Sequence, residues 1–307
     1  MKLPVKFLLP LQVILFLNPF VFSQMTELYT IIQYPVVPQK YCDLEANVSE
    51  SSGLLYNEDE IWTMNDSGGL PEIYRIEKET GGIAQTVRIE NGNNVDWEDL
   101  TQDEKHVYVG DFGNNHGNRK DLRIYKISKK DISGKKKIDV QAEVIGFGYK
   151  DQNDFSENSR NNDFDCEAMI SYGDSLVLFS KNWVNGKCRL YKVPKVPGQY
   201  DPEPLDTFDT DGLITGASFF ESTKCLILIG YKNHIPFIFY FPGFNGRNFP
   251  KTDVSRFEFV RMAGAQTEGI AWLNKDAVIF STEQTKEFAQ QVWELNLQTV
   301  FRLIEGR

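Results

Sequence analysis

Cysteine and histidine are scarce in this 307-residue chain, which has four of the first and three of the second. Cys42, Cys166, Cys188 and Cys225 contain no Cys-x-x-Cys pair, so their spacing excludes an ordinary zinc site. Four cysteines permit three full disulfide pairings in an exported chain, and buried free thiols at strand positions are the simpler expectation. Positive charge is also short, with 33 Lys and Arg against 43 Asp and Glu for a net charge of -10. That balance excludes nucleic acid as the main partner, because a phosphate backbone is bound by a basic surface. It leaves a small molecule, a cation or an envelope protein as partner. No Gly-x-Ser-x-Gly elbow, phosphate loop or long helical periodicity occurs.

The only long apolar run is at the start. Lys2 and Lys6 precede the stretch Phe7–Phe22, which Pro10, Asn18 and Pro19 interrupt. It is shorter than the ~20 residues a spanning helix needs. Residues 1–23 therefore read as a signal peptide cleaved before Gln24, with an uncleaved anchor as the alternative. Residues 24–307 are then expected to form one domain, periplasmic or secreted, with no membrane span. No cysteine stands at the cut to carry a lipid. The closing Ile304-Glu305-Gly306-Arg307 matches a protease-site linker and is read as native.

What the chain has in abundance is a repeat. Each copy opens on a small or acidic motif, enters a strand, turns, and runs into a strongly β-prone second strand. The opening motifs are Ser-Ser-Gly-Leu-Leu (51–55), Asp-Trp-Glu-Asp-Leu (96–100), Asp-Cys-Glu-Ala-Met (165–169), Ile-Thr-Gly-Ala-Ser (214–218) and Gln-Thr-Glu-Gly-Ile (266–270). Measured at Gly53, Glu98, Glu167, Gly216 and Glu268, they lie 45, 69, 49 and 52 residues apart. Four-stranded propeller blades recur at roughly 40–50 residues. The expected fold is therefore all-β, a β-propeller with five recognisable repeats and five or six blades. Residues 27–48, with Tyr29-Thr30-Ile31-Ile32 and Tyr41-Cys42-Asp43-Leu44, are expected to add a strand to the last blade, so that both termini close the ring. The long gap holds an insertion from about 129 to 165, read as a surface loop or, because of its Asn- and Asp-rich end, a calcium loop; it lacks the pattern of an EF-hand.

Hairpin geometry then locates a site. The start of each inner strand and the end of the antiparallel second strand meet at one face. This puts Ser52 with Asn65 and Asp66, Glu98 with Asp111, Glu167 with Lys181 and Asn182, Thr215 with Tyr231 and Lys232, and Glu268 with Glu283 at one channel mouth. Carboxylates that close repel by about 4 kcal/mol per pair at 4 Å and an effective dielectric of 20. A divalent cation, the lysines or raised pKa values must offset this. Oxygen donors suit Ca2+ as the cofactor, with Glu98, Asp111, Glu167, Asn182 and Glu268 as candidate ligands. Asn65, Asp66, Asn114, Asn115, Lys181, Lys232 and Glu283 are candidate ligand contacts, the two asparagines through the glycine-rich run 110–117. A structural role for the repeated glutamates, binding backbone N–H groups of the next blade, stands beside this reading. Of the histidines, His106 precedes a strand, whereas His116 and His234 follow second strands and can reach the channel face.

The motifs Asn-Asp-Ser-Gly (65–68), Asp-Trp-Glu-Asp-Leu (96–100), Gly-Asp-Phe-Gly-Asn-Asn (110–115), Ile-Thr-Gly-Ala (214–217) and Gln-Thr-Glu-Gly-Ile (266–270) resemble a group of exported β-propellers of the Bacteroidetes type. More distantly, the chain is similar to the SdiA-regulated and phytase-like esterase propellers. The resemblance covers nearly all of residues 27–300 and implies the fold and export. Calcium-dependent propeller hydrolases bind metal in the channel through Glu, Asn and Asp, residue types present here, although their ligand set has no residue-by-residue match. Two functions follow as expectations. The first is a binding or interaction propeller with a cation or small ligand at an acidic mouth. The alternative is a metal-dependent hydrolase of a lactone, ester or phosphoester, with Asp111 as candidate base.

Overall fold

The computed structural model describes residues 22–26, 28–33, 37–132 and 134–305. Of the expected export signal only residues 22 and 23 fall inside this range; Gly306 and Arg307 fall outside it. Among the described residues no helix is long and apolar enough to cross a membrane. The one α-helix among the described residues, Leu297–Glu305, follows the last strand of the ring.

Five small sheets form a five-bladed propeller. Their inner strands are Ser51–Asn57, Trp97–Gln102, Asp165–Tyr172, Leu213–Phe220 and Thr267–Asn274. Each pairs with an antiparallel second strand: Glu60–Asn65, His106–Asp111, Ser175–Lys181, Cys225–Lys232 and Ala277–Thr282. Blade five takes its outermost strand from the other end of the chain, where Gln39–Asp43 pairs antiparallel with Gln291–Asn296. This is the expected closure by both termini. The earlier segment differs from expectation: Thr30–Gln33 lies parallel to Ser255–Glu258 and extends blade four, not blade five.

The segment 129–165, expected as a surface insertion, contributes two short strands to blades. Lys137–Val140 runs parallel to Ile83–Ile89 at the edge of blade one, and Glu143–Phe147 returns as the fourth strand of blade two. The same detour recurs when Gly198–Tyr200 joins the edge of blade two before Asp206–Phe208 completes blade three. An outer strand left bare offers unpaired N–H and C=O groups, and these detours cover them while tying neighbouring blades together. Alternation in sequence could not reveal this, because a four-residue edge strand such as Lys-Ile-Asp-Val is too short and polar to be told from a loop. Only 148–164 remains a long connection, and it lies at the channel mouth.

The core is divided into wedges between blades, and the period of two in the strands explains it. Val107 and Val109 face blade one while Tyr108 between them faces blade three. Leu176 and Leu178 pack toward blade two, whereas Val177 and Phe179 pack toward blade four. Second strands are therefore apolar on both faces, which is why they read as unbroken hydrophobic runs. Cys42, Cys166, Cys188 and Cys225 are all buried free thiols.

Candidate functional site at the channel mouth

Every inner strand carries a β-bulge at the same height. The register slips between Ser52 and Leu54, Trp97 and Asp99, Cys166 and Ala168, Ile214 and Gly216, and Thr267 and Ile270. The extra residues are Gly53, Glu98, Glu167, Thr215 and the pair Glu268-Gly269. A bulge leaves one residue unpaired and re-aims its side chain. Blade one uses glycine because the backbone there is left-handed, with φ +51°, and a Cβ would stand 2.7 Å from the Leu100 nitrogen of the next blade.

Structural duty at this level falls on neighbours of the glutamates. The carboxylate of Asp99 accepts from the Leu100 N–H at 2.8 Å and from the Met169 N–H of blade three at 2.7 Å. The Ser52 hydroxyl donates to the carbonyl of Glu98, and that of Thr215 donates to the carbonyl of Thr267 at 2.7 Å. No hydrogen bond from a neighbouring blade's backbone reaches the carboxylates of Glu98, Glu167 or Glu268 among the described residues. The repeated glutamates are thus free of the blade-to-blade role that repetition alone suggests.

They line a cavity of about 220 Å³ with Asp66, Asn115, Arg160, Lys181, Trp183, Tyr231, His234 and Gln266. Two carboxylate groups lie here, Asp66–Asp96–Glu98 and Glu98–Asp165–Glu167, each with oxygens within 4.8 Å of one another. Glu98 belongs to both and is only 3% exposed. Gly113 is packed so closely against this cluster that a Cβ would fall 2.1 Å from Glu98 Oε1 and 2.4 Å from Asp96 Oδ2.

The electrostatics follow from burial with too few cations. Burial, then the neighbouring acids, pushes Asp66 up to about 6, Asp96 up to about 7 and Glu283 up to about 8. Glu98, Glu167 and Glu268 are held well above the usual carboxylate range for the same reasons. Burial opposes the charge on Lys181, but Glu167, with Tyr231, Glu268 and Asp165, outweighs it and keeps the amine firmly protonated. The Lys181 ammonium donates to Glu167 Oε2 and lies 4.7 Å from the Trp183 ring centre and 5.4 Å from that of Tyr231. Burial pushes the Tyr231 phenol up to about 12.

Of the residues expected at the mouth, the fold brings Asp66, Glu98, Asn115, Glu167, Lys181 and Glu268 to the cavity. Glu283 is buried, and burial with the charges of Asp66, Glu50 and Glu167 raises its carboxyl. Asp111 goes elsewhere: it is fully buried, 3.0 Å from Arg119 Nη2 and 3.8 Å from Arg123 Nε, and accepts the Asp96 N–H at 3.1 Å. Its place in the ion pair gives it no opening onto the cavity as ligand or base. Asn182 is buried in its own turn, accepting from the Ser180 hydroxyl at 2.6 Å and donating to Asn185 at 3.1 Å. Asn114 braces a loop, donating to the Phe164 carbonyl at 3.1 Å and accepting the Arg119 N–H at 3.0 Å. Asn65 donates to the Asn47 carbonyl at 2.7 Å, and Lys232 pairs with Asp211 on the rim. His116 lies 3.2 Å from Glu157 outside the cavity and His106 3.4 Å from Asp103, whereas His234 lines the wall.

Asp96, Asp165, Trp183, Arg160 and Gln266 were not anticipated. For the two aspartates a signal existed, since both stand two residues before a bulged glutamate in the motif Asp-x-Glu. Residues i and i+2 share a face in a regular strand, and the bulge gathers them at one end of it. Arg160 had none. It sits on the 148–164 connection with φ +53°, its N–H donates to the Asn115 carbonyl at 2.8 Å, and its guanidinium stacks 5.2 Å from the Trp183 centre.

No protein-family model and no curated protein matches the chain. Solved structures that resemble it include an alpha-L-arabinofuranosidase from Fusarium graminearum in complex with an iminosugar inhibitor, with TM-score 0.49, 7% identity and coverage of 86% of this chain and 98% of that one. A glucose dehydrogenase aligns with TM-score 0.47 and 8% identity over 83% of this chain and 98% of the other. A beta-fructofuranosidase of Bombyx mori aligns with TM-score 0.41 and 11% identity over 82% of this chain and 59% of its own length. At these levels of likeness none of them carries a functional argument.

Proposed function

We propose that the protein is an exported binding propeller whose channel mouth takes a hard divalent cation, Ca2+ by its donor chemistry, together with a small polar ligand. The observation that carries this reading is Glu98: it is almost fully buried, faces the cavity, belongs to both carboxylate groups and receives no hydrogen-bond donor among the described residues. A buried carboxylate without a donor is costly, and a cation removes that cost. An all-oxygen donor set suits Ca2+ better than zinc or copper. Export, and the finer likeness to the Bacteroidetes-type propellers, belong to the same proposal and rest on residues 1–23 and the quoted motifs.

Calorimetric titration with Ca2+ tests it, with Glu98→Gln and Glu268→Gln as controls. Saturable binding that weakens most in Glu98→Gln is expected. No heat, together with identical melting in Ca2+ and in chelator, would sink the cation site. Finding Gln24 at the N-terminus of the secreted protein by mass spectrometry checks the export step.

A hydrolase reading is favoured by one further feature, His234. This residue lies at the tip of the hairpin between Cys225–Lys232 and Ile235–Phe241, with φ +62° next to Asn233 at φ +50°, and it lines the same cavity as the carboxylates. A bound cation would polarise a carbonyl or phosphoryl oxygen, and His234 is placed to carry a proton. Turnover of a lactone, ester and phosphoester panel that disappears in both Glu98→Gln and His234→Gln would establish this reading over the first.

A further inference from the structure

The two carboxylate groups that share Glu98 differ in their partners. In Glu98–Asp165–Glu167, Asp165 already accepts three hydrogen bonds. Its Oδ1 accepts the Asn114 N–H at 2.6 Å and the Cys166 N–H at 3.1 Å, and its Oδ2 accepts the Trp183 indole N–H at 2.7 Å. Glu167 is paired with the Lys181 ammonium. In Asp66–Asp96–Glu98 the only donor to a carboxylate among the described residues is the N–H of Ser67, which Asp66 Oδ1 accepts. Among the described residues the carboxylates of Asp96 and Glu98 accept nothing, and Glu98 is 97% buried, its rim closed by the backbone of Gly113. A cation entering the first group would have to displace an ammonium that is itself buried between Trp183 and Tyr231. One entering the second would meet three carboxylates with open lone pairs.

We infer that Asp66, Asp96 and Glu98 form the exchangeable cation site, and that Lys181 is a built-in cation occupying the place of a second ion beside Asp165 and Glu167. The inference rests on the cation reading proposed above and deepens it by naming the site and its stoichiometry. The ligand class is a hard divalent or trivalent ion that takes oxygen donors, with solvent or a ligand oxygen completing its shell on the cavity side. The fixed ammonium cannot leave, so the mouth keeps one permanent positive charge and one that comes and goes. Whatever small ligand enters lies between them, against Trp183 and Tyr231.

The test is a stoichiometry on the full chain, with Ca2+ followed by calorimetry and Tb3+ by sensitised luminescence. One ion per chain is expected for the wild type. Asp96→Asn should lower Ca2+ affinity by about tenfold or more, as expected for removing one of three charged ligands of such a site. Lys181→Met should free the Glu167 carboxylate beside Asp165 and raise the count to two. Lys181→Gln serves the same purpose if the methionine variant does not fold, judged by its melting transition. Two ions in the wild type, an unchanged affinity in Asp96→Asn, or a count that stays at one in folded Lys181 variants would each overturn the inference and leave the broader reading standing. No binding of either ion to the wild type would overturn both.

Discussion

Asp99 shows how a channel residue can look functional and be structural. It is fully buried, next to the site residue Glu98, and it accepts the Leu100 N–H of its own strand and the Met169 N–H of blade three. Removing the acceptor strands buried N–H groups, each worth about 1–3 kcal/mol. Asp99→Ala should therefore lower stability by about 3 kcal/mol in urea unfolding, and Asp99→Asn by clearly less; a loss below about 0.5 kcal/mol in the alanine variant would contradict the assignment. Asp66, Asp96 and Glu283 contribute a pH dependence. Folding raises their pKa values, to about 6, 7 and 8. A raised carboxylate stabilises the fold fully below its unfolded pKa near 4 and loses that contribution as pH rises through the folded value. The melting temperature in chelator should thus fall between pH 5 and pH 8.5, and Ca2+ should flatten the fall. A melting temperature that rises over that range in chelator would contradict the account.

At the scale of elements, the glycine-rich turn after His106–Asp111 is the closest neighbour of the cation site. A methyl group at Gly113 would overlap the ends of two flexible carboxylates, Glu98 Oε1 and Asp96 Oδ2, and no backbone atom is as near. The chain can accommodate this by swinging those side chains away, so Gly113→Ala should spare the fold and damage the site. The expected result is a loss of about tenfold or more in Ca2+ affinity with a melting temperature in chelator within about 3 °C of wild type. Unchanged affinity would remove the turn from the site. The detour strands are a second lesson at this scale. Lys137–Val140 and Gly198–Tyr200 each hydrogen-bond to a blade other than the one whose strands flank them, a pairing that local alternation carries no trace of.

At the scale of the whole molecule, the ring is held shut by one short strand. Gln39–Asp43 covers Gln291–Asn296, and Cys42 and Leu44 fill the wedge between blades five and one with Val48, Leu54 and Ile279. A chain beginning at residue 46 would leave an open sheet edge and a hole in that wedge. Its melting temperature should drop by about 10 °C or more, with aggregation above the transition, measured by calorimetry and light scattering. Melting within a few degrees of the full chain would show that closure contributes little.

The sequence by itself determined the inner and second strands of the blades, the five repeats, the face on which Glu98, Glu167 and Glu268 emerge and a closing strand somewhere within residues 27–48. These follow from short-range rules: period-two alternation, hairpin reversal and a motif repeated at blade length. It also assigned Asp111, Asn182 and Asn114 to the mouth, because each ends or follows a second strand on the correct side. Only the tertiary structure decided what those side chains meet. Arg119, eight residues beyond Asp111, turns back to claim it, whereas Asp96 and Asp165, from different blades, converge on Glu98. Carboxylates from separate blades are brought within reach by the closure of the ring, and the spacing of residues along one chain does not contain that distance.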